Sequence, residues 1–293
     1  MPQIAPEFLT VKELADLLRV KERKVYDLAS SGRVPCSRAT GKLLFPAAEV
    51  RAWIADAGQP ESTVARPPIV LGSHDPLLDW AIRQSRCGLA SFFDGSYDGL
   101  DRFARGEGIA AGLHIYDAGK ATWNIATVSD ACAEQDAVLI AFARRRRGLV
   151  LRPDGPDISG LADLAGLRLT PRQSESGTDG LFRQLAADAG LDLASVQLTE
   201  VARTETDAVQ SVVRGDADAT FGLEAVARMF GLSFVPVLEE RFDLVVDRQA
   251  YFEPPFQTLL AFCRSDLLSE RAASMGGYDV SLFGEVQWNA PTS

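Results

Sequence analysis

The sequence has no long apolar run: nothing approaches the roughly 18–20 consecutive residues needed to span a bilayer. Its first residues, MPQIAPEFLTVKELADLL, lack a basic start followed by an apolar stretch, so no secretory signal is expected. Only two histidines occur among 293 residues, and the four cysteines (Cys36, Cys87, Cys132, Cys263) form no C-x-x-C pair. That spacing argues against a zinc ribbon and for reduced, buried thiols. No GxxxxGK[ST] and no GxGxxG after a strand is present, which removes the usual nucleotide-phosphate loops. No HExxH, nucleophile elbow or Ser-His-Asp order appears either, so catalysis is not expected. These absences point to a cytoplasmic chain without membrane contact, metal centre or cofactor.

What remains is ordinary for a globular protein, with 46% hydrophobic and 24% charged residues. The length allows two or more domains with their own cores. The net charge of −10 is unevenly spread. Residues 1–66 hold ten Lys/Arg against eight Asp/Glu, and residues 67–293 hold twenty against thirty-two. A slightly basic head therefore precedes an acidic body, which argues against nonspecific nucleic-acid binding but allows a local basic face.

In the head, Thr10 and Glu13 have the spacing of a capping box, followed by an apolar stripe of Leu14, Leu17 and Leu18. KERKVYDLASSG predicts a second helix with Val25 and Leu28 inward and Gly32 near its end. A short turn between the two gives helix-turn-helix spacing. VPCSRATGKLLFP predicts two short strands around a Thr40–Gly41 turn, and AAEVRAWIADA a third helix burying Val50, Trp53 and Ile54. Lys21, Arg23 and Lys24 fall at the start of the second helix, the end that enters a major groove. Arg38 and Lys42, with Arg33, fall on the hairpin side, where phosphate contacts form. LTVKELADLLRVKERKVYDLASSGRVPCSRATGKLLFPAAEVRAWI resembles the excisionase-type, MerR-like winged helix. That resemblance implies binding of a double-stranded DNA operator by residues 1–57, as a homodimer or higher oligomer.

Residues 58–68, rich in Pro, Gly and Ser/Thr, predict a linker. Beyond it, short apolar strands alternate with amphipathic helices, the pattern of an α/β fold with largely parallel sheets. Three strand-to-helix turns carry small hydroxyl residues: Gly72-Ser73, Gly95-Ser96 and Ser176-Gly177-Thr178. Each would present hydroxyls and N–H groups at a helix start, which suits an anion. Each also suits an ordinary N-cap.

The motifs GSHDPLLD (72–79), GSYDGLDRFARGEGIAAGLHIYD (95–117), TWN (122–124), RRRRGLVLRP (144–153), RQSESGTDGLF (172–182) and residues 212–246 resemble the type-two periplasmic-binding-protein-like domain of one-component regulators. The resemblance is to the molybdate- and tungstate-responsive group. It implies two α/β lobes, one of 69–147 plus 247–293 and one of 148–246. The chain would cross between them near 148–151 and 242–246. It also implies a ligand-responsive transcriptional regulator that holds its effector through Ser73, Ser96, Tyr97, Arg172, Ser176, Gly177 and Thr178.

One loop departs from that group's pattern. Pro171, Ser174, Glu175 and Asp179 stand where the group carries Asn, Arg, Gly and Arg, which replaces two positive charges by two negative ones. If the carboxylates face the ligand, a metal ion or a small zwitterion fits better than a bare dianion. If they face solvent, they complement the helix dipole. Arg172 is either an oxyanion clamp or a salt bridge. His74 and His114 fit structural roles better than metal ligation. Trp123 and Asn124 would line the cleft or belong to the core, and Glu224 would face the cleft or a domain contact. The four arginines 144–147 suit a hinge with carboxylate partners better than a nucleic-acid patch. Glu239 and Glu240, adjacent on a strand, should point to opposite faces. A cofactor-synthesis enzyme with a DNA-recruiting head remains the alternative class.

Overall fold

The computed structural model describes residues 7–38, 41–57, 65–174 and 176–291, and the chain divides into units of residues 1–65 and 66–293. The first unit contains β1 (Phe8–Leu9), α1 (Val11–Leu18), α2 (Glu22–Ser30), β2 (Phe45–Pro46) and α3 (Ala47–Ala57). The capping box forms: the Glu13 N–H donates to the Thr10 hydroxyl, and the Thr10 N–H donates to the Glu13 carboxylate at 2.8 Å. Arg19, in the left-handed region at φ 55°, ends α1 and starts the turn. Leu14, Ala15, Val25, Ala29, Val34, Phe45 and Val50 make the core.

Two expectations for this unit change. Leu17 is 51% exposed and Ile54 37%, because Ala15 and Leu18 share the inward face with Leu14, and Val50 and Trp53 fill the space under α3. The hairpin is one antiparallel bridge, Ser37 to Leu44, and Thr40 lies outside the described residues. The pairing of β1 with β2 supplies the sheet instead.

The second unit begins β3 (Ile69–Gly72), α4 (Pro76–Ser85), β4 (Ala90–Phe93), α5 (Ser96–Ala104), β5 (Ala110–Leu113), β6 (Tyr116–Asp117), β7 (Thr122–Trp123) and α6 (Ile125–Ala131). It continues with β8 (Ala137–Leu151), β9 (Arg168–Thr170), α7 (Gly177–Asp188), β10 (Gln197–Leu198), α8 (Glu205–Arg214), β11 (Ala219–Leu223) and α9 (Glu224–Met229). It ends with β12 (Ser233–Asp247), α10 (Arg248–Tyr251), α11 (Pro254–Cys263), α12 (Asp266–Met275), β13 (Tyr278–Asp279) and β14 (Val286–Asn289).

One sheet runs β10-β9-β11-β8-β12-β5-β3-β4, with β13 and β14 also on β8. Parallel strands β3, β4 and β5 form one half, and parallel strands β9, β10 and β11 the other. The two 15-residue strands β8 and β12 pair antiparallel along their length and join the halves. This is the mixed α/β, two-lobed fold that was expected. The second lobe was expected to run to residue 246, but Asp243–Val246 pair with Leu113–Ala110 in the first half. The crossing therefore lies earlier, around Arg144–Arg147 and the strand opposite.

Trp123 and Tyr116, from the β6–β7 hairpin, pack on the second half's core of Leu149, Leu181, Phe182 and Phe221. Cys87, Cys132 and Cys263 are buried as expected, whereas Cys36 is exposed. Helix α5 lies directly on β3: a Cβ on Gly99 would come within 2.1 Å of the Gly72 Cα. Gly99→Ala should therefore cost roughly 1–3 kcal/mol of stability, because backbone must move rather than a side chain. Urea unfolding checks this, and an unchanged midpoint would contradict the close packing.

Candidate functional site

The two halves approach each other where the ends of β3 and β5 meet the starts of α5 and α7. Ser73 follows β3, and Ser96 opens α5 behind Gly95, whose φ of 131° only glycine adopts readily. The two buried hydroxyls are 2.8 Å apart, and the Ser96 oxygen accepts the His114 N–H at 3.1 Å. Two O–H protons are available and their mutual bond uses one, so the pair keeps one proton to donate.

Across the gap, α7 starts with Ser176 as N-cap; its hydroxyl accepts from the Asp179 N–H and donates to the Gln173 carbonyl at 2.7 Å. Gly177 and Thr178 follow, both buried in the first turn, where N–H groups have no helical acceptor. A Cβ on Gly177 would sit 2.5 Å from the His114 carbonyl oxygen, so this position needs glycine for the halves to meet. The Gln173 side-chain amide makes a second link, donating to the Asp94 carbonyl at 2.9 Å.

Beneath this point runs a chain of buried charges. On β8 the four arginines alternate: Arg145 and Arg147 are buried, and Arg144 and Arg146 are exposed. On β12, Glu240 is buried and Glu239 exposed, as the strand period requires. Glu240 takes Arg145 at 2.5 Å and Arg147 at 2.8 Å, and His114 Nδ1 lies 3.2 Å away. Arg145 also donates to Asp75 at 2.8 Å, and the Tyr278 hydroxyl donates to the same Asp75 oxygen. Arg147 reaches Glu205 on α8 at 2.9 Å, and Arg172 meets the same Glu205 oxygen at 2.9 Å. Three arginines thus face three carboxylates, Asp75, Glu205 and Glu240, with formal charges that cancel.

Burial alone would raise both glutamate carboxyls, but Arg147 and Arg172 outweigh it and hold Glu205 down at about 2. Arg145 and Arg147 likewise hold Glu240 well below the usual range. Burial keeps His74 and His114 below the ordinary imidazole value, so both are neutral at pH 7. An unpaired charge in this setting is costly, since two like charges 4 Å apart repel by about 4 kcal/mol at an effective dielectric of 20.

Several expected ligand residues have other duties. Arg172 is no free clamp: it donates to the carbonyls of Ala202 and Arg203 as well as to Glu205. Tyr97 is 44% exposed and stands outside the buried group. Asp179 pairs with Arg183 one turn on, and Glu175 lies outside the described residues. Asn124 is structural, bonded to the Ile115 N–H and to Asp243. Glu224 pairs with Arg146 and Arg228. Ser73, Ser96, Ser176, Gly177 and Thr178 do converge. No spacing pattern marks Glu205, Asp75 or Gln173, although Asp75 and Gln173 sit inside the motifs singled out.

In the head, Lys21, Arg23, Lys24, Arg38 and Lys42 are all exposed, with Lys21 at the N-cap of α2. Among the described residues, no group of three His, Cys, Asp or Glu is arranged to hold a metal ion. Among them also, no helix is long and apolar enough to cross a membrane.

Comparison with known proteins agrees with this architecture. Residues 80–264 match the PBP superfamily domain, more than half of the chain, and the protein belongs to that superfamily. Residues 8–58 match a helix-turn-helix domain. The uncharacterized protein YvgK of Bacillus subtilis is 23% identical over 299 residues, covering 94% of this chain and 96% of that one. Two solved structures share the fold at low identity. The sulfate-binding protein SubI of Mycobacterium tuberculosis has a TM-score of 0.53 at 16% identity, covering 73% of this chain and 85% of that one. A hydrogen-peroxide-bound OxyR mutant of Corynebacterium glutamicum has a TM-score of 0.51 at 13% identity, covering 91% and 89%. A helix-turn-helix domain joined to a PBP-superfamily domain is the arrangement of a ligand-responsive DNA-binding regulator.

Acid should weaken the fold through the buried carboxylates. Glu205 falls from an ordinary 4.5 to about 2 on folding, so its contribution is complete above pH 4.5 and is lost as pH drops toward 2. Linkage puts that contribution at about 3 kcal/mol. Asp243, raised by burial, acts in the opposite direction. Urea midpoints measured at falling pH should drop below pH 4.5, and Glu205→Gln should flatten the slope; parallel slopes would contradict the pairing.

Proposed function

We propose that the protein is a transcriptional regulator that binds operator DNA through its head, as a homodimer or higher oligomer, and senses a small molecule through an oxyanionic group. The observation that carries the ligand half is the buried Ser73–Ser96 pair, with one proton to spare, opposite the start of α7. Hydroxyls and helix N–H groups suit an oxyanion without a dedicated cation. Molybdate and tungstate are the oxyanions that the sequence resemblance implies, and they head the titration with sulfate and phosphate as controls. Closure of the halves on the effector would alter the spacing of paired heads on DNA.

The DNA half rests on the exposed Lys21, Arg23 and Lys24 at the start of α2, with Arg38 and Lys42 flanking the Ser37–Leu44 bridge. Fluorescence anisotropy on a duplex that the protein selects from a random pool tests it. Replacing Arg23 and Lys24 by alanine should weaken binding and lower the slope of log affinity against log salt by roughly 2. An unchanged slope and affinity would remove the head from DNA. For the ligand half, Ser96→Ala should weaken whichever titrated effector binds by roughly tenfold.

A further inference from the structure

A cavity of about 390 Å³ opens in the second half, between α8, the end of β9 and the segment that follows β10. Small-ligand sites typically enclose roughly 300–1,000 Å³. No residue of the junction lines this one: Ser73, Ser96, Gln173 and Ser176 all lie elsewhere. Asp207, Ser211 and Arg214 share one face of α8 and present it to the cavity. The buried wall is a row of hydroxyls. Thr170, 3% exposed, donates to Ser211 at 2.8 Å. Having spent its one proton, it accepts from Thr199, also at 2.8 Å. Ser211, 7% exposed, receives the Thr170 bond and keeps its own proton, for which no acceptor is in reach among the described residues.

The rim offers the opposite kind of group. The Glu200 carboxylate has no ion pair or hydrogen bond among the described residues. Asp207 uses one oxygen to take the Thr204 N–H at 3.2 Å, and Asp216 is answered by Arg214 at 2.8 Å. Three carboxylates against one guanidinium repel an anion. A diamine would satisfy the carboxylates but leave the buried Ser211 proton without an acceptor. A ligand hydroxyl both donates and accepts, and Val201 with Ala202 adds an apolar edge for its C–H groups.

We propose that this cavity is a second ligand site, for a neutral polyhydroxyl molecule such as a monosaccharide or sugar alcohol. Its hydroxyls donate to Glu200 and Asp207, and one of them accepts the Ser211 proton. The site is additional to the one at the junction and does not depend on it. It meets the buried charge chain only through its walls: α8 opens with Glu205, and Arg172 donates to the carbonyls of Ala202 and Arg203.

The test titrates the full-length protein by calorimetry with D-glucose, D-galactose, D-ribose, D-mannitol and myo-inositol to millimolar concentration, beside putrescine and glucose 6-phosphate. At least one polyol should bind, and Ser211→Ala and Glu200→Ala should each weaken it roughly tenfold. Glu200 is exposed, so its replacement keeps the fold even if Ser211→Ala loosens α8. Binding of putrescine or glucose 6-phosphate with no polyol bound overturns the ligand class. No binding by any of the probes overturns the site. Parent affinity in both variants, with loss on Ser96→Ala instead, puts the polyol at the junction and overturns the assignment to this cavity. None of these outcomes touches the oxyanion reading of the junction or the head's role, which the oxyanion titration and the salt dependence of DNA binding decide separately.

Discussion

The alternation of Arg145 and Arg147 on one strand with Glu240 on its neighbour is the constraint on which the rest of the second unit depends. Removing an ion from water costs several kcal/mol, so these side chains are tolerable inside only when each is matched. The matching reaches outward: Asp75 at the start of α4, Glu205 at the start of α8, Arg172 before α7, and the Tyr278 hydroxyl on β13. Helices and loops from both halves are therefore tied to the crossing strands by groups that cannot be left alone.

Much of this was legible in the sequence. The Thr10–Glu13 cap, the βα alternation and the outward-inward alternation of Glu239 and Glu240 follow from local periodicity, which a sequence displays directly. The RRRR stretch does find neighbouring carboxylates on the strands that join the halves, and the strand period of two buries Arg145 and Arg147 while Arg144 and Arg146 stay exposed. The misplacements have non-local causes. Leu17 and Ile54 looked inward by helical spacing, but Leu14, Ala15 and Leu18 fill the inward face of α1 and Val50 and Trp53 that of α3. Asp243–Val246 were put in the wrong half because nothing local says which neighbour a long strand chooses. Arg172 kept its guanidinium but not its freedom, since its partner Glu205 is 33 positions away and carries no spacing signal.

The loop TPRQSESGTDG combined a cradle of hydroxyls with two carboxylates. Asp179 is answered by Arg183, so it complements its own helix and adds no net charge at the junction. The positive charge lost from the loop is not restored nearby, because every buried arginine at the junction is matched. An effector held there as proposed would be recognised by hydroxyls and N–H groups, which select by hydrogen-bond pattern more than by charge.

A double-mutant cycle on Arg147 and Glu240, using Arg147→Met and Glu240→Leu alone and together, tests the central claim most directly by urea unfolding. The account predicts single losses of roughly 3–5 kcal/mol, because each leaves a buried charge unmatched, and a double variant much closer to the parent. Additive losses in the double variant would mean that the two charges do not compensate each other, and the buried chain would not be what holds the halves together.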